Sequence, residues 1–171
     1  MKEVLPRSSL VQSMQSQLAL TQQRHAGFPR DQAVLVRLIK LLHRLFNDSA
    51  NTLLREHGLN HPEYNVLIML DGSPQGLTPG ELAEAAGEKS ANTTRLVDQL
   101  LAKGLVTRTA CEDDRRKLRV QLTAQGAWVI HRVMPAIAAQ LQTFFGKLSG
   151  EQCATLEHLL LQVVEGIEGQ P

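Results

Sequence analysis

Four polar side chains near the middle of the chain have the chemistry needed to contact nucleic acid. They are Ser90, Asn92, Thr93 and Arg95. An asparagine amide can bridge N6 and N7 of adenine, and an arginine guanidinium can bridge O6 and N7 of guanine. Hydroxyl groups also bind phosphate, and a phosphate contact positions a protein without reading the base sequence. If one helix presents these side chains on its outer face, they predict a surface that reads bases in a major groove.

A second group of charged residues follows at Asp114-Arg115-Arg116-Lys117. Arginine is attracted to the negative potential of a narrow, A·T-rich minor groove. We expect Arg116 to reach such a groove, with Arg115 and Lys117 beside it. Asp114 is acidic and therefore unsuited to face a phosphate, so we expect it to orient a neighbouring arginine.

Charge is unevenly distributed along the chain. The 171 residues together carry a net charge of +1, yet the segment from Lys89 to Arg119 holds eight basic and only four acidic residues. A polyanion would therefore be attracted to one part of the molecule only. On charge alone, a solvated basic face without a partner is the alternative interpretation.

Two consecutive helices are predicted to position the first group. Thr78-Pro79-Gly80-Glu81 combines a capping hydroxyl, a proline at the first helical position and a glutamate three residues after the cap, which predicts a helix start. Gly87 predicts a tight turn after it. A second helix is expected from about Ser90 to Lys103, ended by Gly104. Its inward residues are predicted to be Leu96, Val97, Leu100 and Leu101, and its outward residues Asn92, Arg95, Gln99 and Lys103.

Beyond Gly104 the apolar period changes from helical to alternating. Val106 and Thr107 lead into Arg108, and after a charged loop from Cys111 to Lys117 the apolar residues Leu118, Val120 and Leu122 alternate with Arg119 and Gln121. This pattern predicts a β-hairpin with a cationic tip.

Longer helices are predicted on both sides of this segment. A helical stripe of apolar residues runs from Asp31 to Gly58, where the glycine predicts the end of the helix. Pro62 opens another helix that Gly72-Ser73-Pro74 closes. Thr123 is expected to cap a long helix, and Ser149-Gly150-Glu151-Gln152 has the pattern of a capping box for a last one.

The predicted fold is mainly α with a small β-hairpin wing, a winged helix-turn-helix in one compact protomer. We assign residues 1–30 to an N-terminal arm or short helix, residues 59–122 to the DNA-binding lobe, and residues 31–58 and 123–171 to dimerisation helices. An isolated lobe would not need long apolar helices at both ends, so a second copy is expected to cover them. The residues expected in that interface are Val133, Ile137, Leu141, Phe144 and Leu159, with Trp128 in the core or the interface. The alternative is that these helices only close the protomer's own core.

In order and spacing these motifs resemble the MarR family of bacterial regulators from about Asp31 to Glu165. The residues that carry the resemblance are Thr78-Pro79-Gly80-Glu81-Leu82-Ala83, Asn92-Thr93-Thr94-Arg95-Leu96-Val97-Asp98-Gln99-Leu100, Lys103-Gly104-Leu105-Val106, and Asp114-Arg115-Arg116 leading to Leu122-Thr123. Arg24-His25, Phe28-Pro29 and the wing look like the EmrR/MprA branch, and the SlyA branch is nearly as similar. The resemblance implies a homodimer that binds a palindromic operator in double-stranded DNA, with a ligand cleft between the dimer helices and the DNA-binding lobe.

The resulting prediction is a ligand-responsive repressor of efflux or aromatic-compound genes. Arg37, Lys40, His43 and Tyr64 are the candidates for the effector site, because a cation or imidazole suits a phenolate or carboxylate and an aromatic ring suits another ring. We expect a small aromatic or lipophilic effector. The alternatives are a DNA-binding regulator without an effector, and a winged helix that serves as a protein-interaction module.

Other classes of function lack support in the sequence. The nucleotide-binding glycine motifs and the nucleophile triads of enzymes do not occur, so we predict neither an enzyme nor a cofactor. Cys111 and Cys153 have no metal-ligand spacing, and Gly58 and Pro62 interrupt the helix that would align His57 with His61, so no metal site is predicted. A redox role for Cys111 beside the charged loop is the alternative to an incidental thiol. With neither a signal peptide nor a long apolar segment, we expect a cytoplasmic protein that does not bind membranes.

Overall fold

The computed structural model describes residues 8–87, 89–110 and 118–169. These residues form seven α-helices, one 3₁₀ turn and a two-stranded antiparallel sheet. The elements are α1 (Ser8–Arg24), α2 (Arg30–Leu54), the 3₁₀ turn (Arg55–His57), α3 (His61–Asp71), α4 (Pro79–Ala86), α5 (Ser90–Ala102), β1 (Val106–Ala110), β2 (Leu118–Leu122), α6 (Ala124–Phe145) and α7 (Gly150–Glu168). The mainly helical fold with a small hairpin is confirmed.

The chain divides into two compact units, Met1–Thr52 and Leu53–Pro171. In the first unit, α1 lies within residues 1–30, where an arm or a short helix was predicted, and Leu18 and Val34 are buried. The second unit contains α3 to α7 and the hairpin. Gly58 ends the long N-terminal helical segment as predicted, with a φ of 69°. The final turn before it is 3₁₀ rather than α.

Side-chain caps set the start of most helices in the second unit. The Thr78 hydroxyl accepts from the Glu81 amide and the Glu81 carboxylate accepts from the Thr78 amide, which confirms the predicted capping box. Ser149 and Gln152 form the same arrangement at α7, and Thr123 caps α6. The structure adds a capping box at α3, between Asn60 and Glu63.

The hairpin pairs as the sequence predicted and also contacts a segment that is distant in sequence. Val106 pairs with Leu122 and Ala110 with Leu118, as the alternating pattern predicted. In addition, Leu77 bridges Val120 through two backbone hydrogen bonds of 2.7 and 3.0 Å. The segment before α4 therefore adds an edge to the sheet, and this links the hairpin to the start of α4.

The core of the second unit lies between α3, α4, α5, the sheet and the first half of α6. Its fully buried side chains include Leu67, Leu82, Leu96, Val97, Leu100, Val120 and Val133. The prediction that Val133 and Ile137 are buried against a second copy is wrong, because α6 packs against α3 and β2 and buries both residues in the chain's own core. Trp128 lies outside that core, with 56% of its surface exposed.

Leu141, Phe144 and Leu159 are exposed in the single chain, as an interface with a second copy requires. The whole of α7 is exposed except for Cys153, which is half-buried. Within residues 8–87, 89–110 and 118–169, no helix is both long enough and apolar enough to cross a membrane.

Candidate nucleic-acid interface

Helix α5 presents one face to the core and the other to solvent. Leu96, Val97 and Leu100 are buried, and the helix contacts α3, α4 and β1. The opposite face exposes Ser90, Ala91, Thr94, Arg95 and Asp98, with Asn92 half-buried at its edge. Three of the four side chains predicted to contact nucleic acid are therefore accessible on α5.

Thr93 is the exception, and its prediction as a DNA contact is corrected. Its side chain is 1% exposed, and the hydroxyl lies 3.5 Å from the Lys89 carbonyl. Thr93, Leu96, Val97 and Leu100 fall at positions i, i+3, i+4 and i+7, the spacing of a single buried stripe. That spacing identifies Thr94 as the accessible threonine, and Thr94 was not among the predicted contacts. The Thr94 hydroxyl donates to the Ser90 carbonyl at 3.0 Å.

The two side chains predicted to read bases are hydrogen-bonded to each other. Arg95 Nη2 donates to Asn92 Oδ1 at 2.9 Å. A guanidinium has five N–H donors, so this bond leaves Arg95 with donors for another acceptor. The pair is therefore oriented before any ligand arrives, and an oriented side chain loses less conformational entropy on binding.

The start of α5 has no side-chain cap, unlike the starts of α3, α4, α6 and α7. Its N-cap residue is Lys89, which makes no side-chain cap, and its first turn contains no acidic residue. The first amides of a helix have no intrahelical acceptor and carry the positive end of the helix dipole. Lys89 adds a positive charge to that end, so this end of α5 is suited to lie near phosphate oxygens.

Several cations of the basic segment are engaged within the fold. Lys103 pairs with Glu63 at 2.7 Å, and Arg108 pairs with Asp98 at 2.6 Å. Arg119 donates to the Gly76 carbonyl at 2.8 Å, with Glu81 at 3.7 Å. Among the described residues, Lys89 and Arg95 are the cations of this segment that form no ion pair.

The predicted wing residues Asp114, Arg115, Arg116 and Lys117 lie outside the described residues, as does Cys111. The described residues on either side, Ala110 and Leu118, are paired across the hairpin. The roles of these residues stay predictions.

The predicted effector residues are placed in different surroundings. Arg37 and Lys40 line a groove of about 790 Å³ in the first unit, between α1 and α2, beside Met14, Leu18 and Phe28. His43 is exposed and hydrogen-bonds Asn47 at 2.9 Å. Tyr64 belongs to the second unit, where it is buried. Burial raises the pKa of the Tyr64 phenol above its ordinary value of 10.0, and the charge of Asp71 adds to the rise.

No group of three histidine, cysteine, aspartate or glutamate side chains in the described part of the chain has the geometry to hold a metal ion. Cys153 is a free thiol. It lines a groove of about 310 Å³ on α7 together with Phe145, Leu156 and Leu160.

Known proteins share both the sequence pattern and the fold. The pattern that defines the MarR family matches residues 57–117, which include α3, α4, α5 and β1. The chain is 28% identical over 146 residues to the transcriptional repressor MprA of Escherichia coli, covering 85% of this chain and 83% of that protein. The crystal structure of AbsC, a MarR family transcriptional regulator of Streptomyces coelicolor, is 26% identical, covers 80% of this chain and 93% of its own, and superposes with a TM-score of 0.73. A cysteine-to-serine mutant of MarR from Escherichia coli, crystallised with operator DNA, is 27% identical and superposes with a TM-score of 0.71, covering 81% of this chain and 99% of its own.

Proposed function

Because this chain belongs to the MarR family, we propose that it is a DNA-binding transcriptional repressor that acts as a homodimer on a palindromic operator. The observation that carries the proposal is the outer face of α5, which presents Ser90, Asn92, Thr94 and Arg95 beside an uncapped, positively charged helix start. A helix of this kind fits the major groove of B-DNA and contacts bases through residues near its N-terminus. Such a repressor works in the cytoplasm, at the nucleoid, and its relatives are regulators rather than enzymes.

Specific contacts are assigned from chemistry and exposure. Arg95 reads guanine, Asn92 reads adenine or orients Arg95, and Ser90 and Lys89 bind phosphate. On the wing, Arg116 enters the adjacent minor groove, flanked by Arg115 and Lys117 and oriented by Asp114. Thr93 is removed from this set because it is buried.

A dimer is supported by the apolar surface that a single chain leaves exposed. Leu141, Phe144, Phe145 and Leu148 are exposed near the end of α6 and just after it, and α7 exposes a further set of aliphatic side chains. Scattered apolar residues are normal on a surface, but a contiguous set on terminal helices marks an interaction site. Two copies related by a two-fold axis would place two α5 helices about one turn of DNA apart.

The proposal is tested by electrophoretic mobility shift with DNA from upstream of the protein's own gene. We expect a shift whose affinity falls steeply with salt, because each neutralised phosphate releases counterions. Arg95→Ala and Arg116→Ala should each weaken binding by about tenfold or more. Arg132→Ala is the matched control, since Arg132 lies on α6 over the Trp128 ring at 4.8 Å and not on α5.

Absence of a shift at low salt, with the protein folded, would contradict DNA binding. The protein-interaction module would then be the better interpretation. An equal loss of affinity in Arg132→Ala would show that the effect reflects total charge rather than the α5 surface.

We also propose a small aromatic or lipophilic effector that lowers affinity for the operator. The groove between α1 and α2 favours it, since this groove combines apolar walls with the cations Arg37 and Lys40 and its volume lies within the range of ligand sites. A ligand shifts the DNA-binding equilibrium only as far as its affinities for the two conformations differ.

The effector is tested by adding salicylate-like and uncoupler-like compounds to the DNA complex. We expect release of DNA by the wild type and a weaker response in Arg37→Ala and Lys40→Ala. No loss of DNA affinity with any compound would favour the regulator without an effector.

A further inference from the structure

An ion pair between a buried carboxylate and a partly exposed ammonium group lies at the end of α5 opposite to the proposed base contacts. Glu63, in the first turn of α3, is 2% exposed. Lys103, the residue that follows α5, places its Nζ 2.7 Å from both carboxylate oxygens of Glu63 and 2.8 Å from the Gly58 carbonyl oxygen. An ammonium group has three N–H donors, and Lys103 Nζ has three acceptors around it.

The ion pair connects three segments that are distant in sequence. Gly58 is the turn that ends the long N-terminal helical segment, Glu63 begins α3, and Lys103 ends α5. Glu63 also accepts from the Asn60 amide at 3.0 Å, so its carboxylate is fixed on the α3 side before Lys103 binds it. We call this arrangement the Glu63–Lys103 latch.

Stability is a poor explanation for the latch. Burying the Glu63 carboxylate costs solvation, and an apolar contact of similar size often stabilises a fold equally well. The latch instead fixes the position of the C-terminal end of α5, because three hydrogen bonds to fixed acceptors hold that end in one place. An apolar contact would permit it to slide.

The orientation of α5 matters because a small tilt at one end of a helix produces a larger displacement at the other end. Its 13 residues extend over about 20 Å at 1.5 Å per residue. A tilt of about 10° at its C-terminal end therefore displaces its N-terminal residues by about 3 Å, close to the 3.4 Å rise along the DNA axis from one nucleotide of a strand to the next. In a two-fold dimer the displacement occurs in both copies and changes the distance between the two base-reading surfaces.

We propose that Glu63 and Lys103 are positioning residues that set the angle of α5 and so the half-site spacing that the dimer accepts. This inference rests on the proposed DNA-binding function. Neither residue contacts DNA in this proposal, and both act through Asn92, Thr94 and Arg95.

The test uses the full-length double variant Glu63→Gln/Lys103→Met. The glutamine keeps an acceptor for the Asn60 amide, the methionine keeps a side chain of similar length, and no buried charge is left without a partner. The DNA is the duplex bound by the wild type, mapped by footprinting, and two versions with one base pair added or removed between the half-sites. Wild type should prefer the natural spacing by about tenfold or more. The double variant should keep its melting temperature but bind the three duplexes with nearly equal affinity.

Two further variants serve as controls. Lys103→Arg retains a cation that can bond the carboxylate at two points, and this variant should keep the spacing preference of the wild type. Arg132→Met removes a cation from α6 and should leave the spacing preference unchanged.

If the double variant folds and still discriminates between spacings as the wild type does, the positioning role is wrong. If the double variant fails to fold, Glu63→Gln alone decides, since it weakens the pair while keeping the α3 cap; unchanged discrimination in that variant also overturns the proposal.

A measurement without DNA separates this inference from the proposed function. Hydrogen exchange of the amides from Leu101 to Leu105 should accelerate in Glu63→Gln and in the double variant, while the amides of α4 stay protected. Failure of wild type to bind any duplex would refute the proposed function only. Unchanged exchange in both variants would refute the latch itself.

Discussion

At the scale of single residues, neighbouring side chains on α5 have opposite environments. Thr93 is buried at 1% exposure, and Thr94 is exposed on the outer face. The two threonines are chemically identical, so exposure alone decides which of them can meet a base or a phosphate.

Thr94→Ala should therefore weaken operator binding, and Thr93→Val should not. Loss of one groove contact is expected to lower affinity by about tenfold, measured by titration of a fluorescent duplex at fixed salt. Thr93→Val preserves the shape of a buried side chain whose hydroxyl makes one long hydrogen bond, so its DNA affinity should match wild type. The opposite ranking of the two variants would contradict the orientation of α5.

The Tyr64 phenol makes a contribution to the free energy of unfolding that is lost at alkaline pH. Burial and the charge of Asp71 raise the pKa of the Tyr64 phenol in the folded state above 10.0. The folded state therefore holds this proton at a pH where the unfolded chain releases it. The contribution is complete below pH 10 and is lost as the pH rises through the raised pKa.

We accordingly expect the free energy of unfolding to fall above pH 10 and to fall less steeply in Tyr64→Phe. Urea unfolding at pH 8, 10 and 11 measures this, with the pH 8 value as the internal control. An identical pH slope in wild type and Tyr64→Phe would show that other groups produce the alkaline loss.

At the scale of elements, a close approach between α6 and the start of the sheet requires a glycine. A Cβ built on Gly126 would overlap the Leu105 carbonyl oxygen and approach a Leu122 methyl to 3.1 Å. The same carbonyl accepts from the Thr123 amide at 3.1 Å, next to the cap of α6. Backbone cannot move aside as a flexible side chain can, so α6 would have to shift.

Gly126→Ala should destabilise the protein by about 1–3 kcal/mol, the typical cost of overpacking. The gain in helix propensity, about 1 kcal/mol for Gly to Ala, offsets part of this. Thermal unfolding followed by circular dichroism measures the change. The matched control is Gly166→Ala in α7, where an added Cβ meets nothing within 4 Å, and it should be neutral or stabilising. Similar effects of the two substitutions would contradict the close approach.

At the scale of the whole molecule, the exposed apolar face of the C-terminal helices predicts a dimer. Leu159 on α7 is 52% exposed in the single chain. A charge at this position would have to be buried in the interface without a partner, which is costly. Leu159→Asp should therefore shift the protein from dimer to monomer and abolish operator binding, because both half-sites are needed for high affinity.

Sedimentation equilibrium at micromolar concentration checks the oligomeric state. Gln162→Asp is the control, since it adds the same charge at an exposed polar position of the same helix. A wild-type monomer, or a dimer that Leu159→Asp leaves intact, would contradict the assignment of α7 to the interface.

Much of this architecture is determined by short-range signals in the sequence. Local capping residues fix where helices begin and end: Thr78 with Glu81, Thr123, and Ser149 with Gln152 at starts, and Gly58 at an end. These caps act through hydrogen bonds that span at most four residues, so they form in much the same way whatever the rest of the chain does. The change from a helical to an alternating apolar period predicted the hairpin, because this pattern is also local in sequence.

Other features were decided only by the tertiary structure. Lys103 meets Glu63 across 40 residues, Leu77 bridges Val120 across 43, and Val133 packs in the chain's own core and not against a second copy. Apolar periodicity shows which face of a helix is buried but not what buries it. An ion pair or a strand bridge depends on where the chain returns, and many charged and apolar residues of this sequence are equally suitable partners until the fold selects one.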